Sequence, residues 1–112
     1  MDNTKKRTIQ SISVKAAIIQ SKYNAKVLKV VNNWQNGHLT GDVLSETSFL
    51  LSLKNINKLL QSEYKELLVD NSIFLKAEKS DIMQDYDCAF ISPKEAITTI
   101  LFELLNPKQA IS

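Results

Sequence analysis

Residues 8–35 read TIQSISVKAAIIQSKYNAKVLKVVNNWQ, a stretch with no glycine and no proline. Ile12, Ala16, Ile19, Tyr23, Val27, Val30 and Trp34 recur at steps of three and four, which places them on one side of a helix. The spacing predicts a long N-terminal helix over 8–35, preceded by a basic flexible start at 1–7. Asn36-Gly37 is the expected stop, because glycine tolerates the left-handed conformation that ends many helices.

Outward from that helix, residues 36–42 read as a connecting loop, with Thr40 or Asp42 able to cap the next helix through a side-chain oxygen. A second helical region is expected over 43–69, with Ser52 a candidate break. Its apolar face is Phe49, Leu53, Ile56, Leu60, Tyr64 and Leu67, while Lys58, Glu63, Lys65 and Glu66 fill the other side. Asp70-Asn71-Ser72 signals a turn. The run Ile73, Phe74, Leu75 is too short for its period to separate helix from strand, and 76–91 fits a short helix or an acidic connection. Ser92-Pro93-Lys94-Glu95 then combines a capping hydroxyl, a proline at the first helical position and a glutamate three residues past the cap. A C-terminal helix over 93–105 is expected from there, with Ala96, Ile97, Ile100, Leu101, Leu104 and Leu105 on its apolar side.

The chain of 112 residues is 44% hydrophobic and holds only two Gly and two Pro. That composition points to a single all-α domain over 1–112, and a domain of this size buries only about two-thirds of its unfolded surface, so a dimer, intertwined or side by side, is expected. One cysteine, Cys88, excludes an intrachain disulfide and is expected to be a buried structural thiol. With one histidine, His38, it cannot complete a Cys/His zinc site, and His38 reads as a turn residue. Asp81, Asp85 and Asp87 lack the glycine of a calcium loop and read as a solvated acidic surface. No phosphate-cradling loop, nucleophile elbow or dinucleotide fingerprint occurs. The expectation is a cytoplasmic protein that is not an enzyme and uses no metal, cofactor, small-molecule substrate or membrane span.

Charge is unevenly distributed. Residues 1–41 hold seven Lys or Arg and one Asp, whereas 42–112 hold seven against eleven acids, so a total of +2 divides into +6 and −4. Lys15, Lys22, Lys26 and Lys29 fall within a narrow arc of the first helix, and with Lys5, Lys6 and Arg7 they form the candidate phosphate-facing set. Val14, Ile18, Ala25, Leu28 and Val31 lie off the main apolar face. They form the candidate dimer or partner interface, since a helix this greasy has more surface than one neighbour covers.

Leu53-Lys54-Asn55-Ile56-Asn57-Lys58-Leu59, with the Leu67-Leu68 pair and Phe74, resembles the helix-then-apolar-run segment of FlhD-type transcriptional co-activators. The order of parts is similar too: a long leading helix, this segment, an acidic connection and a closing helix. Lys54 stands where that family often has proline, and the family's phenylalanine-arginine-leucine-glycine signature is absent. The resemblance implies an all-α homodimer that joins a zinc-containing FlhC-type regulatory partner on double-stranded DNA to activate transcription. The competing expectation is a protein-binding adaptor, such as a secretion chaperone, antitoxin or immunity protein.

Overall fold

The computed structural model describes residues 3–40 and 46–107, with 38–40 described by backbone alone. Among these residues there are five α-helices and no strand: α1 (Asn3–Thr40), α2 (Glu46–Asp70), α3 (Ser72–Glu78), α4 (Ser80–Asp87) and α5 (Pro93–Leu105). The all-α expectation is met.

Both ends of α1 differ from expectation. It begins at Asn3, so Lys5, Lys6 and Arg7 belong to the helix rather than to a flexible start. Nothing in that turn opposes helix formation, and Lys5 anchors it through an ion pair to Glu78 of α3 at 2.7 Å. At the other end the helix continues through Gly37 to Thr40. One internal glycine costs about 1 kcal/mol relative to alanine, too little to stop a helix whose flanking residues continue it. Thr40 is therefore a helical residue; its side chain, that of His38 and the whole of Asp42 lie outside the described residues.

At 1.5 Å per residue α1 is about 57 Å long, and the molecule measures 58 × 29 × 28 Å. This one helix sets the long axis. α2 runs back along it without a break at Ser52, whose hydroxyl donates to the Ser48 carbonyl one turn earlier at 3.0 Å. Residues 43–45 lie outside the described residues. The ambiguous stretch after Asp70 is helical: α3 and α4 are two short helices joined at Lys79, and backbone bonds from Leu75 to Asn71, Lys79 to Leu75 and Met83 to Lys79 run almost continuously through the joint. Leu75, Ile82 and Met83 are buried, so the pair folds around its apolar residues and leaves the acids outside.

The last helix starts where the sequence places it. Ser92 accepts a hydrogen bond from the Glu95 N–H at 3.1 Å, with Pro93 at the first helical position. The Lys94 N–H donates to Gln61 of α2 at 3.0 Å, and the far end of α5 reaches Ile9 and Gln10 of α1. α5 thus lies across one end of the α1–α2 pair. Ala96, Ile97, Ile100 and Leu101 are buried there, against Ile9, Ile12, Ala16 and Tyr23 of α1 and Leu60, Tyr64, Leu67 and Leu68 of α2.

That core occupies only part of the length. No residue of 24–37 or 46–59 is buried. Val27, Val30 and Trp34 of the α1 apolar side are exposed or half-buried, as are Phe49, Leu53 and Ile56 of the α2 face. The molecule is a five-helix head from which a two-helix arm extends.

Candidate interaction surface

The arm is held by the stripes its two helices turn toward each other. Trp34 stacks on Phe49 with ring centroids 4.5 Å apart and planes 14° from parallel. Where arm meets head, the Tyr64 hydroxyl lies 3.2 Å from the Ala16 carbonyl and 3.1 Å from Gln20 Oε1. Burial pushes the Tyr64 phenol up from its ordinary value. Beside it, Glu63 accepts hydrogen bonds from Tyr23 and from Lys22, the latter at 3.0 Å, and these hold its carboxyl below its ordinary range.

The reason that the arm stays open lies in helix geometry. Val27 lies 18 residues after Ile9 on α1, and Leu50 lies 18 residues before Leu68 on α2. Eighteen residues are five full turns, so each pair points the same way. Ile9 and Leu68 are each 2% exposed, but Val27 is 36% and Leu50 55% exposed. The arm repeats the pattern of the head without a third helix to cover it. Leu51 and Leu59 are also exposed on α2.

The seven cations of the candidate phosphate-facing set have different surroundings on α1. Lys5 points toward the core side and is paired with Glu78, and Lys22 is paired with Glu63. Lys6 lies on another flank, beside Ile9, Gln10, Leu104 and Leu105, and Arg7 is exposed on the opposite pole. Lys15 sits beside Glu63, Glu66 and Asp70. Lys26 lies over the Tyr23 ring, its Nζ 5.8 Å from the centroid, and Lys29 is exposed. Of the seven, Lys6, Arg7, Lys15, Lys26 and Lys29 have no ion pair among the described residues.

Of the candidate interface, Val14, Ile18, Ala25 and Leu28 are exposed and Val31 is half-buried. Val14, Ala17, Ile18, Ser21 and Lys22 line a shallow apolar depression. Lys54, Lys58, Leu50, Leu51 and Leu59 are binding candidates that sequence reasoning missed. The signal was available: Leu51 and Leu59 sit off the α2 core stripe, Leu59 directly follows Lys58, and Leu50 lies one turn before Lys54.

Two other expectations need correction or placement. Cys88 is exposed rather than buried, because the chain leaves the core at the end of α4 and turns through Ala89, whose φ is 61°. Asp81, Asp85 and Asp87 are exposed on α4, and Asp87 lies 3.8 Å from Lys76. Among the described residues no group of three or more His, Cys, Asp or Glu side chains is placed to hold a metal ion, and no helix is long and apolar enough to cross a membrane.

No family model, curated protein or solved structure matches this chain. What the site can do therefore rests on its own chemistry: an apolar two-helix groove edged on the α2 side by Lys54 and Lys58, with Glu46 at its far end.

Proposed function

We propose that this chain is a cytoplasmic, non-catalytic adaptor whose arm receives an amphipathic helix of a partner protein. The observation that carries this reading is the pair of five-turn repeats, Ile9 to Val27 and Leu68 to Leu50, covered in the head and open in the arm. An apolar helix laid beyond the N-terminus of α5 would continue the three-helix packing along the groove, which is the helix-in-groove mode of recognition. Lys54 and Lys58 stand on the α2 edge of the groove, so the partner helix carries acidic residues on the side of its apolar stripe that meets them.

Trp34, the only tryptophan of the chain, reports on this groove. Titration with a synthetic amphipathic helix whose polar face is acidic is expected to shift Trp34 emission, and the same helix with a basic polar face is expected to bind at least about tenfold more weakly. Replacing both Leu50 and Leu53 by Glu removes the shift. A shift that survives this double replacement, or none with either peptide, rejects the reading.

A second reading is a dimeric, DNA-associated transcriptional co-activator, to which the likeness of residues 53–59 to FlhD-type proteins also leads. It is favoured by Lys15, Lys26, Lys29, Lys54 and Lys58, which have no ion pair among the described residues, and weakened by the pairing of Lys5 and Lys22. Phosphate contact predicts duplex affinity that falls steeply with salt, by a log–log slope of about −0.9 per phosphate neutralised. Absence of binding at low salt, alone or with a partner, removes it.

A further inference from the structure

The solvent pole of α1 carries a second apolar seam that neither the core nor the arm groove uses. Val14, Ile18, Ser21, Ala25 and Leu28 succeed one another at steps of four, three, four and three, the spacing by which one helix packs lengthwise against another. Val14, Ile18 and Leu28 are 58%, 62% and 60% exposed. The shallow depression at Val14, Ile18 and Ser21 lies on this line.

We propose that this seam pairs antiparallel with the same seam of a second copy, on a two-fold axis crossing α1 between Ser21 and Ala25. Isologous contact sets Leu28 of each copy beside Ile18 of the other, and Ala25 beside Ser21.

Charge selects this occupant and this direction. Lys15, Lys22 and Lys29 form the flank of the seam that faces α2, seven residues or about two turns apart. In an antiparallel pair, equivalent flanks meet, so Lys22 meets Lys22 of the second copy while Lys29 arrives at Lys15. Each Lys22 already donates to its own Glu63 at 3.0 Å, which offsets the like-charge contact. Lys15 stands beside Glu66 and Asp70, two carboxylates with no ion pair among the described residues. Lys29 of the second copy supplies the cation that balances them. Two copies therefore complete two such clusters, and a parallel pair completes neither, because it sets Lys29 against the opposite, uncharged flank, beside Asn24.

This inference goes beyond the adaptor reading and stands apart from it, since the seam and the arm groove are on different faces. Sedimentation equilibrium is expected to give twice the chain mass, and Ile18→Glu is expected to return the chain to a monomer with unchanged helical circular dichroism and an unchanged Trp34 response to peptide. Lys29→Glu is expected to weaken the dimer about tenfold, and adding Glu66→Lys and Asp70→Lys to restore it. Direction is read by disulfide formation in a Cys88→Ser background: Ile18→Cys chains mixed with Leu28→Cys chains are expected to cross-link to each other and not to themselves. A monomeric wild type, a dimer that persists with Ile18→Glu, or Ile18→Cys chains that cross-link only to themselves overturns the proposal.

Discussion

Tyr64 ties the head together at the level of a single atom, and its contribution separates from the packing of its ring. Its hydroxyl is buried within hydrogen-bonding distance of the Ala16 carbonyl and Gln20, so Tyr64→Phe keeps the ring and loses the bond. Urea denaturation is expected to show a loss of about 1 kcal/mol, the usual net worth of such a bond. Glu63, next to it, governs the response to pH. Its folded carboxyl titrates below the ordinary 4.5 because Tyr23 and Lys22 donate to it. Its stabilising effect is complete above that ordinary value and is lost as pH falls through the folded one. Lys22 and Tyr23 are shifted upward by the same contact, so their part is complete below their ordinary values and is lost as pH rises through the folded ones. The expected melting temperature is level between these limits and falls beyond them. Glu63→Gln lowers the plateau, and its difference from wild type disappears in acid; a difference that persists there contradicts the assignment. Tyr23 and Tyr64 are legible in the sequence as stripe residues. Glu63 is legible only as part of a wet face, because helical period orders residues around one axis and is silent on which long side chains reach across to another.

At the scale of the element, local chemistry marks starts better than stops. The start of α5 is legible from Ser92-Pro93-Lys94-Glu95 because a cap is an interaction between neighbours in sequence. Ser92→Ala removes the acceptor for the Glu95 N–H and is expected to cost about 1 kcal/mol in chemical denaturation. Gly37 misleads as a terminus because a glycine favours an end without imposing one. Since α1 passes through it, Gly37→Ala is expected to stabilise the chain by about 0.5–1 kcal/mol, by limiting the unfolded state and favouring the helix. A loss of stability from this replacement would mean that Gly37 needs a backbone conformation closed to alanine. α3 and α4 are ambiguous for a different reason: each spans about two turns, too few for a period to show, and tertiary burial of Leu75, Ile82 and Met83 decides them.

At the scale of the whole molecule, the sequence shows two long stripes of uniform quality and does not show where their cover ends. Val27 and Ile9 obey one period, as do Leu50 and Leu68, so nothing local marks the border between head and arm. The border is set by the length of α5, 13 residues laid along helices of 38 and 25. The chemistry of one substitution therefore depends on which side of the border it falls. Leu68→Ala opens a cavity among side chains that cannot all collapse into it and is expected to cost about 2–5 kcal/mol. Leu50→Ala, on the same face five turns away, removes a side chain that is 55% exposed and is expected to cost about 0.5 kcal/mol. Amide hydrogen exchange tests the same division without mutation. Amides of 9–23 and 60–68 open only with the core, whereas those of 27–37 and 49–57 need only the two-helix contact around Trp34 and Phe49 to part. The arm is thus expected to exchange far sooner than the head in the free chain, and a partner helix in its groove to slow it toward the rate of the head. Equal protection of both regions in an isolated, monomeric chain would mean that the arm is already closed and would remove the basis for its role in binding.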